Sequence, residues 1–215
     1  MTTLGTLSPY AARFTGVLAI VGGTLQLAST VVSVTLEGGV NNGVTGGTIT
    51  VWSAFVLAEA FVGLYRWAEP RYPRTTPWLT LVALTAMVAG GGFGHQAIHL
   101  GAFGPTDYLS NDAAIADNPI GLLAWVPWGW FAPLSYGLVG GVLARARLIP
   151  WWNGAVLIAG GVLFISARPA QVSWLALVCD VVLLAGLTAA GVRLIGAARE
   201  PRPAGARVAP AVRGV

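Results

Sequence analysis

The chain has 215 residues, of which 9% are charged and 55% hydrophobic, with a mean hydropathy of +0.72. An ordinary soluble domain is roughly a quarter charged, so this set cannot cover a soluble surface, and the bilayer is the solvent the composition fits. All 12 basic residues are arginine, which excludes a lysine Schiff base and a P-loop lysine, and the lone Cys179 excludes an internal disulfide, a CxxC pair and a thiolate zinc cage.

Six apolar stretches follow in chain order, near 12–36, 49–67, 78–100, 120–144, 150–167 and 172–195. A helix needs about 20 residues to cross a core about 30 Å thick. The sequence therefore predicts an all-α, polytopic transmembrane helical bundle of six spans, with 101–119 as the place for a seventh. The fifth stretch is the shortest. Residues 1–199 form one membrane domain, and 200–215, rich in proline, alanine and arginine, reads as a disordered cytoplasmic tail. Between the first two spans, 37–48 (EGGVNNGVTGGT) reads as a glycine-rich outer loop. It follows no strand and is no phosphate cradle.

Charge placement orients the spans. Arg13, Arg66, Arg71, Arg74, Arg145, Arg147, Arg193, Arg199, Arg202, Arg207 and Arg213 all fall on one side of a six-span arrangement, and Arg168 alone falls on the other. The positive-inside rule makes the rich side cytoplasmic, with both termini there, in the cell membrane. The net charge of +4 is thus a topology signal, and no nucleic-acid partner is expected. Arg168 reads as an interfacial arginine that snorkels, or as an anchor for a polar or anionic group at a cavity mouth. Trp67, Trp78, Trp151 and Trp152 mark cytoplasmic ends of spans, and Trp52 and Trp174 outer ends. Trp125, Trp128 and Trp130 run deeper into the fourth span.

Ionisable groups inside a membrane are expensive and usually functional. Glu59 lies in the second span and Asp180 in the last, and no arginine lies in the middle of either span to pair with them. Gln26 is in the first span, and His95 and His99 are in the third. From the helical rise, Glu59 and Gln26 lie about 15 Å below the outer ends of their spans, Asp180 and Trp128 about 12 Å, and His95 about 8 Å. One shared layer suggests one polar-floored cavity. Trp52, Phe55, Glu59 and Gly63 share a helix face, as do Trp125, Trp128 and Ala132. Pro127 and Pro133 bend the fourth span and free carbonyls. Each acid also has a plain reading as an interhelical hydrogen-bonding residue. Cys179 packs as a small hydrophobe.

A carboxyl without a counter-ion in an apolar cavity keeps its proton and can donate it. Aromatic faces stabilise cations, and apolar walls exclude water. Those are the requirements of polyene cyclisation. With an intramembrane Glu59 in the second span and Asp180 in the last, the chain resembles the transmembrane terpene cyclases, both the fungal meroterpenoid cyclases and the bacterial indole-sesquiterpene (drimentine-type) enzymes. The resemblance covers most of the chain, at the level of topology and two acids. It implies a metal-free cyclase of the protonation-initiated class, with Glu59 and Asp180 catalytic and no cofactor. The substrate would be a lipophilic, prenylated small molecule taken from membrane lipid. Gln26, Trp52, Phe55, His95, Trp125, Trp128, Phe131 and Tyr136 would line its pocket. Two other readings stand beside it. Acids and histidines in spans also serve proton-coupled transport, and His95 with His99, one turn apart, suits one metal ion or a haem-binding role. The sequence leaves the oligomeric state open.

Overall fold

The computed structural model describes residues 7–104 and 119–199, and the side chains of all of these except 119–129. Among the described residues there are six helices and no strands. They are α1 Pro9–Leu36, α2 Val44–Ala68, α3 Thr76–Phe103, α4 Pro119–Arg145, α5 Trp151–Ala167 and α6 Ser173–Ala197. Four of them, α1, α2, α3 and α6, are long and apolar enough to cross a membrane. The α5 helix is apolar but has 17 residues. At 1.5 Å per residue it reaches about 26 Å. The tail 200–215 and most of 101–119, the place for a seventh span, lie outside the described residues.

The described connections, 37–43, 69–75, 146–150 and 168–172, are short, so the helices they join run antiparallel and pack side by side. Each helix contacts its neighbours in chain order, and α6 closes back onto α1, which gives a ring. Across the ring α2 also touches α4. Three facing glycine pairs set close approaches around the ring. A Cβ on Gly16 of α1 would sit 2.6 Å from the carbonyl oxygen of Gly191 of α6. The same holds at 2.6 Å for Gly47 of α2 against Gly94 of α3, and at 2.8 Å for Gly140 of α4 against Gly154 of α5. Membrane helices pack by such small-residue contacts, because lipid leaves no hydrophobic force to hold them.

Sequence and structure differ at 37–48. Only 37–43 is loop, and α2 begins at Val44. The cause is Glu37. Its Oε1 accepts from Thr45 N–H and its Oε2 from Gly46 N–H, both at 2.8 Å. These are amides of the first turn that otherwise lack partners, and a carboxylate there also suits the helix dipole. Gly43 stands at φ +92°, a conformation that a side chain would strain. At the start of α1, Ser8 Oγ accepts from Ala11 N–H at 3.1 Å, and Pro9 fills the first turn.

The two ends of the ring differ in packing. At the end where α1 begins, α6 ends and the loops at 69–75 and 146–150 lie, Phe61, Leu64, Tyr65, Trp67, Leu143 and Leu148 are buried and fill the interior. The outer face is apolar: Val17, Leu81, Val88, Val162 and Val181 are among the exposed residues. A surface of that kind suits lipid. The opposite end, with the loops at 37–43 and 168–172, is hollow.

Candidate functional site

The hollow is a cavity of about 610 Å³ between α1, α2, α3, α4 and α5 at the non-terminal end. That size is ordinary for a small-molecule site. Its apolar walls include Leu57, Met87, Phe93, Trp130, Tyr136 and Phe164. Its polar groups are Gln26, Asn41, Thr50, Gln96, Arg168 and Gln171. The aromatic wall is continuous in part: the Tyr136 ring lies 5.4 Å from Phe61 and 6.3 Å from Phe164. Beside the cavity α4 and α5 approach closely: a Cβ on Gly161 of α5 would meet the Pro133 carbonyl oxygen of α4 at 2.5 Å.

The polar end of the cavity is organised by Arg168. The α5 helix stops at Ala167, and the chain turns back through Gln171, whose φ of +54° tightens the reversal. Gln171 Nε2 donates to the Arg168 carbonyl at 2.8 Å and holds the turn. Arg168 then points inward rather than to the surface, and is 7% exposed. Its Nη2 donates to Asp180 Oδ2 at 2.8 Å, to Oδ1 at 3.1 Å and to Thr30 Oγ1 at 3.0 Å. Its Nη1 donates to Asn41 Oδ1. The guanidinium carbon stands 4.8 Å from the centre of the Phe164 ring, close enough for a cation–π contact. The Nε–H is buried and has no hydrogen-bond partner.

Asp180 is fully buried two turns into α6 and lies behind Arg168, outside the cavity lining. Thr30 Oγ1 donates to its Oδ2 at 2.5 Å, and Gln26 lies close by. Gln26 is fixed in turn: Ser53 Oγ lies 3.3 Å from its Oε1 and donates at 3.0 Å to the Gly22 carbonyl. Nearer the 37–43 loop, Ser29 and Thr50 share a 2.5 Å hydrogen bond. A polar seam therefore runs along the α1–α2 interface from Gln26 and Ser53 toward that loop. A buried ion pair of this kind costs desolvation and is retained for geometry. Here it ties the 37–43 loop, α1, α5 and α6 to one guanidinium.

The structure divides the residues expected to form the site. Gln26 and Tyr136 line the cavity. Asp180 is buried beside it, but with a counter-ion, so the expectation of two carboxyls without an arginine is corrected. The snorkelling expectation for Arg168 is corrected as well: the turn at 168–172 is tight enough to aim its side chain into the ring. Glu59, Trp52 and Phe55 do share a face of α2, but that face points outward; Trp52 is 61% and Phe55 62% exposed, and Glu59 is exposed beside them. The opposite side of α2 carries Ala54 and Leu57 to the cavity. His95 and His99 are both exposed, and His99 lies against Phe103. The inward residues of that helix are instead Phe93 and Gln96. Phe131 packs against the core and does not line the cavity. Trp125 and Trp128 fall outside the described side chains.

Among the described residues no three His, Cys, Asp or Glu groups come together as metal ligands, so the histidine pair lacks a third partner there. Cys179 is buried, with its thiol 3.4 Å from the Gly160 carbonyl, which is packing. Sequence reasoning missed Thr30, Asn41, Phe93, Gln96 and Phe164. One signal was available: Arg168 was the single arginine off the basic side, 12 residues before Asp180. Comparison with protein-family models, with curated proteins and with solved structures finds no match for this chain.

Proposed function

We propose that the chain is a six-span protein of the cytoplasmic membrane, with both termini cytoplasmic, that takes a lipophilic prenylated molecule into its cavity and cyclises it by protonation. The observation that carries this reading is the aromatic-walled cavity next to Asp180, the sole fully buried carboxyl among the described residues. Phe93, Trp130, Tyr136 and Phe164 offer ring faces to a developing cation. Apolar walls keep out the water that would quench it. Glu59 has no part in this version, because it faces away from the cavity. Asp180 would act alone. As a carboxylate paired with Arg168 it holds no proton to give, so the pair must open and Asp180 must take up a proton before the alkene or epoxide of the substrate can receive it. A proton lost from the final cation returns the enzyme to its starting state, and the product is an isomer of the substrate.

The test is turnover in membranes supplied with a prenyl-indole or an epoxy-prenyl substrate. A cyclised product of unchanged mass is expected from the wild type and from Glu59→Gln, and none from Asp180→Asn. Full turnover by Asp180→Asn would end the proposal. The ion pair itself favours a second reading, proton-coupled transport, in which protonation of Asp180 releases Arg168 and moves α6 against α1. That reading expects substrate-driven proton uptake into sealed vesicles and no chemical change in the substrate.

A further inference from the structure

A second hollow lies between α6 and the start of α5. It is an open groove of about 700 Å³ that shares no lining residue with the inner cavity. One stripe of α6, with Val181, Leu184, Ala185, Ala189 and Val192, forms its floor, and Pro150 and Trp152 of α5 flank it. Arg193 lines its basic end. Along the helix axis, Val181 and Arg193 are about 18 Å apart. That is close to the depth of one leaflet, half of a core about 30 Å thick.

An apolar stripe on a membrane helix meets lipid in any case. Arg193 sets this one apart. Its Nε–H donates to the Leu148 carbonyl at 2.6 Å, which holds the guanidinium in place. The side chain is exposed, and its Nη groups make no hydrogen bond to a described residue. The 146–150 loop and α5 contain no carboxylate, and Asp180, the one carboxylate of α6, is taken by Arg168. The groove therefore ends in an uncompensated positive charge. Beside it Trp152 is 49% exposed, a residue type that settles at head-group level.

We propose that this groove binds one anionic phospholipid from the leaflet at the basic end. The phosphate takes the free Nη–H groups of Arg193, whose planar fork matches two phosphate oxygens. One acyl chain lies along the α6 stripe. A zwitterionic lipid offers the same phosphate, but its ammonium group brings a second positive charge to the same place and weakens the pairing. The site rests on the helices crossing a membrane. It is independent of what the inner cavity takes or does.

The test uses the detergent-solubilised full chain and native mass spectrometry. Dioleoyl phosphatidylglycerol and dioleoyl phosphatidylcholine share their chains, and glycerol 3-phosphate supplies a phosphate without chains. One phosphatidylglycerol should bind on the order of tenfold tighter than phosphatidylcholine, the worth of one hydrogen-bonded charge pair. Glycerol 3-phosphate should not bind at the same concentration. In Arg193→Gln the preference should fall to about one. Arg71→Gln, which removes a basic residue of the 69–75 loop, should leave it unchanged. Ala185→Phe, at an exposed position of the stripe, should weaken both lipids. Equal binding of the two lipids by the wild type overturns the proposal. An equal loss of preference in Arg193→Gln and Arg71→Gln overturns it too, because the attraction then belongs to the whole basic end. Glycerol 3-phosphate bound as tightly as the lipid would make Arg193 a site for free phosphates instead. The wild-type ranking and Ala185→Phe remain tests even if Arg193→Gln does not fold.

Discussion

Replacing Arg168 by methionine is the most informative single change. The side chain is 8% exposed and its partner Asp180 0%. Methionine fills a similar volume but removes the hydrogen bonds to both Asp180 oxygens, to Thr30 and to Asn41. Asp180 keeps the 2.5 Å bond from Thr30, which does not neutralise a buried charge. Breaking one side of a buried ion pair costs about 3–5 kcal/mol, chiefly from the charge left behind. Replacing both partners by apolar residues removes that charge, so Arg168→Met with Asp180→Leu should return to within about 1–2 kcal/mol of the wild type. The coupling between the two sites in a double-mutant cycle should then be at least about 2 kcal/mol. Stability would be read from denaturant unfolding in mixed micelles, with far-ultraviolet circular dichroism as the signal. Singles and double that simply add would refute the reasoning. So would a single variant within about 0.5 kcal/mol of the wild type, since the pair would then not be the tie between α1, α5 and α6.

Three further outcomes follow from the geometry. Glu37→Ala removes two capping bonds of 2.8 Å from the first turn of α2 and should cost about 1–2 kcal/mol in the same unfolding assay. Gly16→Val places a Cβ 2.6 Å from a backbone oxygen of α6, so α1 and α6 must separate, at about 1–3 kcal/mol; crosslinking between engineered cysteines on those helices should slow. Ala86→Phe adds a ring at a position that lines the cavity and is fully buried, and should abolish binding of a farnesyl-length probe and cost about 1–3 kcal/mol in the same unfolding assay.

The all-helical class was legible in the sequence because its signal is additive. Hydropathy summed over 20 or so residues does not depend on what a helix touches. The expected stretches all coincide with helices, and even the short fifth, 150–167, matches Trp151–Ala167. Gln26 and Asp180 do come close together, from helices far apart in the chain. Facing was not legible. In a soluble protein the polar face of a helix points out. Here both faces of α2 are apolar, one toward lipid and one toward the core, so Trp52, Phe55 and Glu59 could be grouped but not aimed.

The sequence alone determined the apolar character that suits a membrane, the helix positions and the short list of polar residues within the helices. The tertiary structure decided which of those residues meet. It turned Glu59 and His95 outward, and it brought Arg168 around a tight turn onto Asp180. The physical reason is that composition fixes how deep a residue lies, through a solvation energy that each residue pays by itself. Rotation about the helix axis is fixed by packing between helices, at contacts such as Gly16 against Gly191 and Gly47 against Gly94, and those exist only once the ring has closed.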